Sequence, residues 1–171
     1  YSYLATGELS EIKDPLGNLT KFEHDILGRL IRKIDPNGFV ATRSYDANGN
    51  VTQEIDPNLN TKIFEFDSLN RLTRKNLPDN QVLFTYNNQN QISETQNNHS
   101  KLVFNFDVVG RIVSEQSFGL GTLASMTNTL LNFEYDSADN LIKMTDPTGF
   151  TTYSFDDANR LTSLTNQKSE F

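Results

Sequence analysis

Carboxylates recur along this chain at near-equal intervals, and their spacing is the first thing that could do chemistry. Asp25, Asp46, Asp67, Asp107, Asp136 and Asp156 each follow an aromatic residue or a histidine and precede, four residues on, an Arg or Asn. Two carboxyls ~5–10 Å apart in unlike environments could share general acid and base work on a glycosidic bond. A catalytic pair, however, is one special place, whereas these residues occur in copy after copy. Asp at the first position of a tight turn accepts hydrogen bonds from backbone amides just ahead of it, and that role suits a residue present in every copy.

Calcium is the next chemistry raised by dense Asp, Asn and Gly. EF-hand loops and calcium-binding nonapeptides place oxygen ligands at fixed short spacings, and neither spacing occurs here. Arg29, Arg71, Arg111 and Arg160 stand four residues after a repeat's Asp, within reach of that Asp or open to an anion or a sugar. His24 occupies an aromatic slot and His99 a polar turn, and the chain has no cysteine to complete a metal-ligand pattern. No catalytic, metal-ligating or cofactor-binding residue is assigned, and no cofactor is expected.

The elements that carry these residues follow from a period of about 20 residues. The pattern reads HDILGRL from His24, YDANGNV from Tyr45, FDSLNRL from Phe66, FDVVGRI from Phe106, YDSADNL from Tyr135 and FDDANRL from Phe155, with weaker copies from Tyr3 and Tyr86. A type I turn followed by a left-handed residue is a common β-hairpin connection, and a left-handed position accepts Gly, Asn or Asp and little else. The occupants are Gly7, Gly28, Gly49, Asn70, Asn90, Gly110, Asp139 and Asn159. A second turn, DPxG, stands between copies at Asp14-Pro15 with Gly17, Asp35-Pro36 with Gly38, and Asp146-Pro147 with Gly149, and is degraded at Asp56. It is expected to be a turn of the same kind, with Pro presetting the second position. Aromatic pairs two residues apart, such as Phe64 and Phe66, point to one face of a strand, while Phe22 with His24 and Arg43 with Tyr45 depart from the pairing. Residues 1–171 are therefore predicted as one all-β array of tandem hairpins forming a curved antiparallel strip, with repeats starting near 3, 24, 45, 66, 86, 106, 135 and 155.

Composition bounds the function. A net charge of -7 argues against nucleic acid or an anionic membrane as partner. No apolar run approaches the roughly 18 residues that span a bilayer. The chain starts and stops in mid-repeat with no visible cap, so a piece of a longer protein is expected.

YDxxGRL followed by DPxG and Thr, as in DPLGNLT from Asp14 and DPTGFTT from Asp146, resembles the RHS/YD repeat family over essentially the whole chain. That resemblance implies a β-strip spiralled into a hollow shell. It implies a large secreted or surface protein, of a bacterial toxin-delivery kind first, with the shell enclosing a cargo or toxic domain encoded elsewhere in the parent. Members of adhesion type make a cell-surface or carbohydrate-binding module the alternative. The partners so implied are other repeats and domains of the same parent, an enclosed cargo, or carbohydrate.

One repeat breaks the period. From Phe106 to Tyr135 it stretches to 29 residues, and residues 117–131 carry no charge. The plain reading is a hairpin with a longer tip; the sharper one is an apolar flap in which Phe118, Leu120, Leu123 and Met126 touch a partner.

Overall fold

The computed structural model describes residues 1–121 and 128–168, in two compact units, Tyr1–Gln81 and Val82–Phe171. The first unit holds β1 (Ser2–Tyr3), β2 (Leu9–Lys13), β3 (Leu19–His24), β4 (Leu30–Ile34), β5 (Val40–Tyr45), β6 (Val51–Ile55), β7 (Thr61–Phe66) and β8 (Leu72–Asn76). The second holds β9 (Gln81–Tyr86) but for its first residue, β10 (Ile92–Gln96), β11 (Ser100–Phe106), β12 (Ile112–Gly119), β13 (Thr129–Tyr135), β14 (Leu141–Asp146), β15 (Gly149–Phe155) and β16 (Leu161–Lys168). Within each unit every strand pairs antiparallel with its neighbours in the chain. The architecture is all-β and built of tandem hairpins.

The first kind of turn is a type I turn with a left-handed fourth residue. In Asp46–Asn50 the Gly49 amide donates to the Asp46 carbonyl at 3.2 Å, and the Asp46 amide to the Asn50 carbonyl at 3.0 Å. The left-handed residues are Gly7, Gly28, Gly49, Asn70, Asn90, Gly110, Asp139 and Asn159, with φ from 58° at Asn159 to 102° at Gly7. A further irregularity follows each of these turns. Ser44 faces Gln53 but Tyr45 faces Val51, so Thr52 is an extra residue in the returning strand. Such an inserted residue sharpens the local twist. Equivalent extra residues include Thr73, Ser93 and Thr162, whose hydroxyls donate to the carbonyls of Glu65, Thr85 and Ser154 across the pair.

The second turns diverge from one common kind. Asp14–Gly17 and Asp35–Gly38 take the left-handed form, with Gly17 at φ 89° and Gly38 at φ 85°. At the degraded copy Leu59 itself takes φ 66°, and its amide donates to the Asp56 carbonyl at 2.9 Å. At Asp146 the expectation of the same turn fails. Asp146 pairs directly with Gly149, so only Pro147 and Thr148 form the tip. Strands β14 and β15 run closer to the turn there, leaving no room for the extra residue. Gly149 is needed for another reason: a Cβ on it would collide with the Gln167 carbonyl oxygen of β16. Short tips also occur at Leu77–Asn80 and Asn97–Ser100, each closed by one amide donating to a carbonyl, at 2.7 and 2.8 Å.

Directly opposed residues of an antiparallel pair share a face. In the first unit that rule places Phe22 with Lys33, Tyr45 with Val51, Phe64 with Lys75 and Phe66 with Leu72 on one face. In the second it groups Phe84 with Thr95, Phe104 with Glu115, Phe133 with Met144 and Tyr153 with Leu164. The opposite face carries cross-strand ion pairs such as Glu23 with Arg32, Glu65 with Arg74 and Glu134 with Lys143. No hydrophobic side chain among the described residues is buried. The band rings from Phe22 to Phe155 are half-buried by their neighbours, as a single layer allows and no more.

Leu59 is 79% exposed, so its backbone strain has no packing to offset it. A left-handed conformation costs an L-residue about 1–2 kcal/mol, and glycine gives part of that back as chain entropy. Leu59→Gly should therefore raise stability by about 1 kcal/mol in urea unfolding, and Gly49→Leu should lower it; a destabilised Leu59→Gly variant would contradict the assignment.

Candidate functional site

Every turn that begins with Asp or Asn is organised by that first side chain, whereas the turns beginning at Leu4 and Leu77 are closed by backbone bonds. Oδ1 of Asp25 accepts the amides of Leu27 at 2.9 Å and Arg29 at 3.0 Å, and Oδ2 accepts Arg29 Nε at 2.7 Å. Asp67, Asp107 and Asp156 hold Arg71, Arg111 and Arg160 in the same way, at 2.7, 2.7 and 2.8 Å. Asp46 and Asp136 hold Asn50 and Asn140 instead, each at 2.9 Å. In the second turns Asp14 pairs with Asn18 Nδ2, and Asp35 accepts the amides of Asn37 and Phe39. Asp146 accepts the amide and hydroxyl of Thr148, each at 2.6 Å. In the fifth repeat Asn87 replaces the acid, and its Nδ2 donates to Gln91 Oε1.

These bonds set the charge state. Side-chain donors, namely Arg29, Asn50, Asn140 and Arg160, hold the carboxyls of Asp25, Asp46, Asp136 and Asp156 below the ordinary range. At Asp67 the Arg71 amide leads and its guanidinium adds to it. At Asp107 desolvation pushes upward, and the bonds from Arg111 outweigh it. All six shifts run in one direction. Acid–base catalysis by two carboxyls needs their values driven apart, and this lattice does not do that.

The residue four after the Asp has a second task that sequence reasoning missed: it reaches the next turn along the strip. Equivalent turns are two strands apart, about 10 Å, which one Arg or Gln side chain, or two shorter ones meeting, spans. Arg29 Nη1 donates to the Asp46 carbonyl at 3.1 Å, and Asn50 Nδ2 to Asn70 Oδ1 at 2.8 Å. In the second unit Gln91 Nε2 donates to the Gly110 carbonyl at 2.8 Å, Arg111 Nη1 to Asp139 Oδ1 at 2.6 Å, and Asn140 Nδ2 to Asn159 Oδ1 at 2.9 Å. Glu8 lies so close to Gly28 that a Cβ there would sit 2.6 Å from its Oε1.

Aromatic residues join the ladder. The Arg29 guanidinium lies 4.6 Å from the Tyr45 ring centre, and Arg111 lies 4.8 Å from that of Tyr135. Each tyrosine hydroxyl donates back to the preceding repeat, Tyr45 to the Leu30 carbonyl at 2.8 Å and Tyr135 to the Ile112 carbonyl at 2.9 Å. The sequence carries a matching signal of doubled period. The reaching residue alternates through Arg29, Asn50, Arg71, Gln91, Arg111, Asn140 and Arg160, while the ring residue alternates between Tyr (45, 86, 135) and His or Phe (24, 66, 106, 155).

The uncharged stretch is placed in part. Phe118 lies on β12 opposite Lys101, and the Leu120 amide donates to the His99 carbonyl at 2.7 Å. Both side chains are half-buried, and Leu123 and Met126 lie outside the described residues. His24 keeps its aromatic slot, opposite Leu30.

The Teneurin YD-shell family matches residues 1–145, and the RHS Repeat family matches residues 135–167. The chain belongs to the Teneurin YD-shell family of RHS-repeat proteins. No curated protein matches it at a significant level. Among solved structures, the crystal structure of TcdB2-TccC3 without hypervariable C-terminal region superposes with a TM-score of 0.72 at 17% identity, over 92% of this chain and 10% of that one. TcdB2-TccC3 itself gives 0.70 at 15% identity over 92% and 10%, and a Photorhabdus luminescens Tc holotoxin pore gives 0.66 at 14% over 88% and 9%. The shared feature is the fold of an RHS/YD shell segment, and the chain spans about 10% of the length of the solved chains it matches.

Two outcomes follow from the ladder. Carboxyls held below their unfolded value of about 4 stabilise the fold fully above that pH and cease to do so as pH falls through the folded value. The urea midpoint should be flat from about pH 7 to 5 and fall steadily below about pH 4; a midpoint rising on acidification would contradict it. Tyr45→Phe keeps the ring and removes one hydrogen bond, so urea unfolding should show a loss of about 1 kcal/mol.

Proposed function

We propose that this chain is a non-enzymatic wall segment of an RHS/YD shell that encloses a cargo domain of its parent. The supporting observation is the use made of the recurring residues. The Asp, the left-handed residue and the reaching side chain of each turn bond their own turn or the next, so the repeated chemistry is spent on continuity of the sheet. On this reading residues 1–171 act as one array, the partners are other repeats and the cargo of the same polypeptide, and the parent is a secreted or surface protein. Among the described residues no helix is long and apolar enough to cross a membrane.

An adhesion or carbohydrate-binding module is the second reading. It would require several rings open to solvent beside polar groups. Tyr1 and Tyr3, at 82% and 63% exposure, have that openness. The band from Phe22 to Phe155 is half-covered, which favours the wall.

Limited proteolysis of the parent protein distinguishes the two. In the wall reading, the cargo region survives protease while the shell is intact and is digested once acid has opened it. A cargo region cleaved at the same rate in both states would overturn containment.

A further inference from the structure

The aromatic band has one break. Two residues before the ring of each other copy stands another ring, at Tyr1, Phe22, Phe64, Phe84, Phe104, Phe133 and Tyr153, but the third copy has Arg43, with Ala41 two residues before it. Pairing puts Lys33 opposite Ala41, Arg43 opposite Glu54 and Glu54 opposite Lys62, so all five share the aromatic face. The missing ring and the small Ala41 leave a groove, with Lys33, Ala41, Arg43, Glu54, Asp56 and Lys62 in its lining.

The groups are arranged for a negative guest. Arg43 donates to Glu54 through Nε at 2.9 Å, and its terminal nitrogens make no hydrogen bond among the described residues. Lys33 and Lys62 make no ion pair there either, and the Asp56 carboxylate is occupied by the amides of Asn58 and Asn60 and by Asn60 Nδ2. Three cations thus stand in one concavity of a chain whose net charge is -7: Arg43, paired on one edge with Glu54, and Lys33 and Lys62, which form no ion pair among the described residues although Lys62 acts on the Asp56 carboxylate through space. A guanidinium oriented by a carboxylate on one edge presents its remaining donors as a fork that matches two oxygens of one anion.

We propose that this groove binds an oxyanion, a carboxylate or a phosphate group, gripped by the Arg43 terminal nitrogens and flanked by Lys33 and Lys62. Arg43→Phe restores the ring of the other copies, filling the groove while conforming to the array. The test is a ¹⁵N chemical-shift titration at low ionic strength with a capped tetraglutamate peptide and, separately, with inorganic phosphate. Saturable shifts at residues 33, 41, 43, 54 and 62 are expected, weakened about tenfold or more in Arg43→Phe and weakened by added salt. Response to the peptide alone names a carboxylate guest, and response to phosphate alone names a phosphate. If Arg43→Phe does not fold, the double variant Lys33→Ala with Lys62→Ala must show the weakening instead. No saturable shift with either probe, or an unchanged one in a folded variant, would overturn the proposal.

Discussion

The Asp carboxylate that gathers two backbone amides and one side chain inside six of the repeat turns is the interaction on which this molecule depends. A sheet one layer thick buries no hydrophobic side chain among its described residues, so packing cannot choose the register as it does in a sandwich or barrel. The turn chooses it. With the carboxylate holding residues two and four ahead, and a left-handed residue between them, the returning strand enters at one defined position. Every face assignment, aromatic or ionic, follows from that position.

A second set of bonds runs at right angles to the first. The side chain four after the Asp ties its turn to the next, and where it is Arg it also lies over the following tyrosine. Individually such half-exposed contacts are weak. Repeated along one edge within each unit, they couple hairpin to neighbouring hairpin, which is how a repeat array gains stability from nearest-neighbour terms in place of a core. The alternation of Arg with Asn or Gln, and of Tyr with Phe or His, makes the working unit two hairpins. This chemistry maintains a continuous sheet within each unit, and it is in keeping with the family the chain belongs to.

The departures from the lattice are where individuality lies. Leu59 carries backbone strain in a turn whose siblings use glycine, and Gly149 is held by close approach to β16 in place of a left-handed turn. Arg43 interrupts the aromatic band with a cation. A single-layer sheet tolerates such changes because each side chain touches few others.

The sequence by itself determined the period, the all-β class, the hairpins and the eight left-handed positions, because each is local: turn conformation is decided within five residues, and Gly, Asn and Asp take the critical place at least strain. It also pointed to Asp and Arg pairing within a turn. It did not reveal that the same Arg reaches the next turn, that Thr52 and its equivalents are inserted residues, or that DPTG at Asp146 closes as a two-residue tip. Those depend on which residues of neighbouring strands face one another, a relation set by register over some 20 residues of chain. The groove beside Arg43 belongs to the same class. The sequence showed a missing ring; only the pairing of β4 through β7 put Lys33, Arg43 and Lys62 on one face around the space that the ring would have filled.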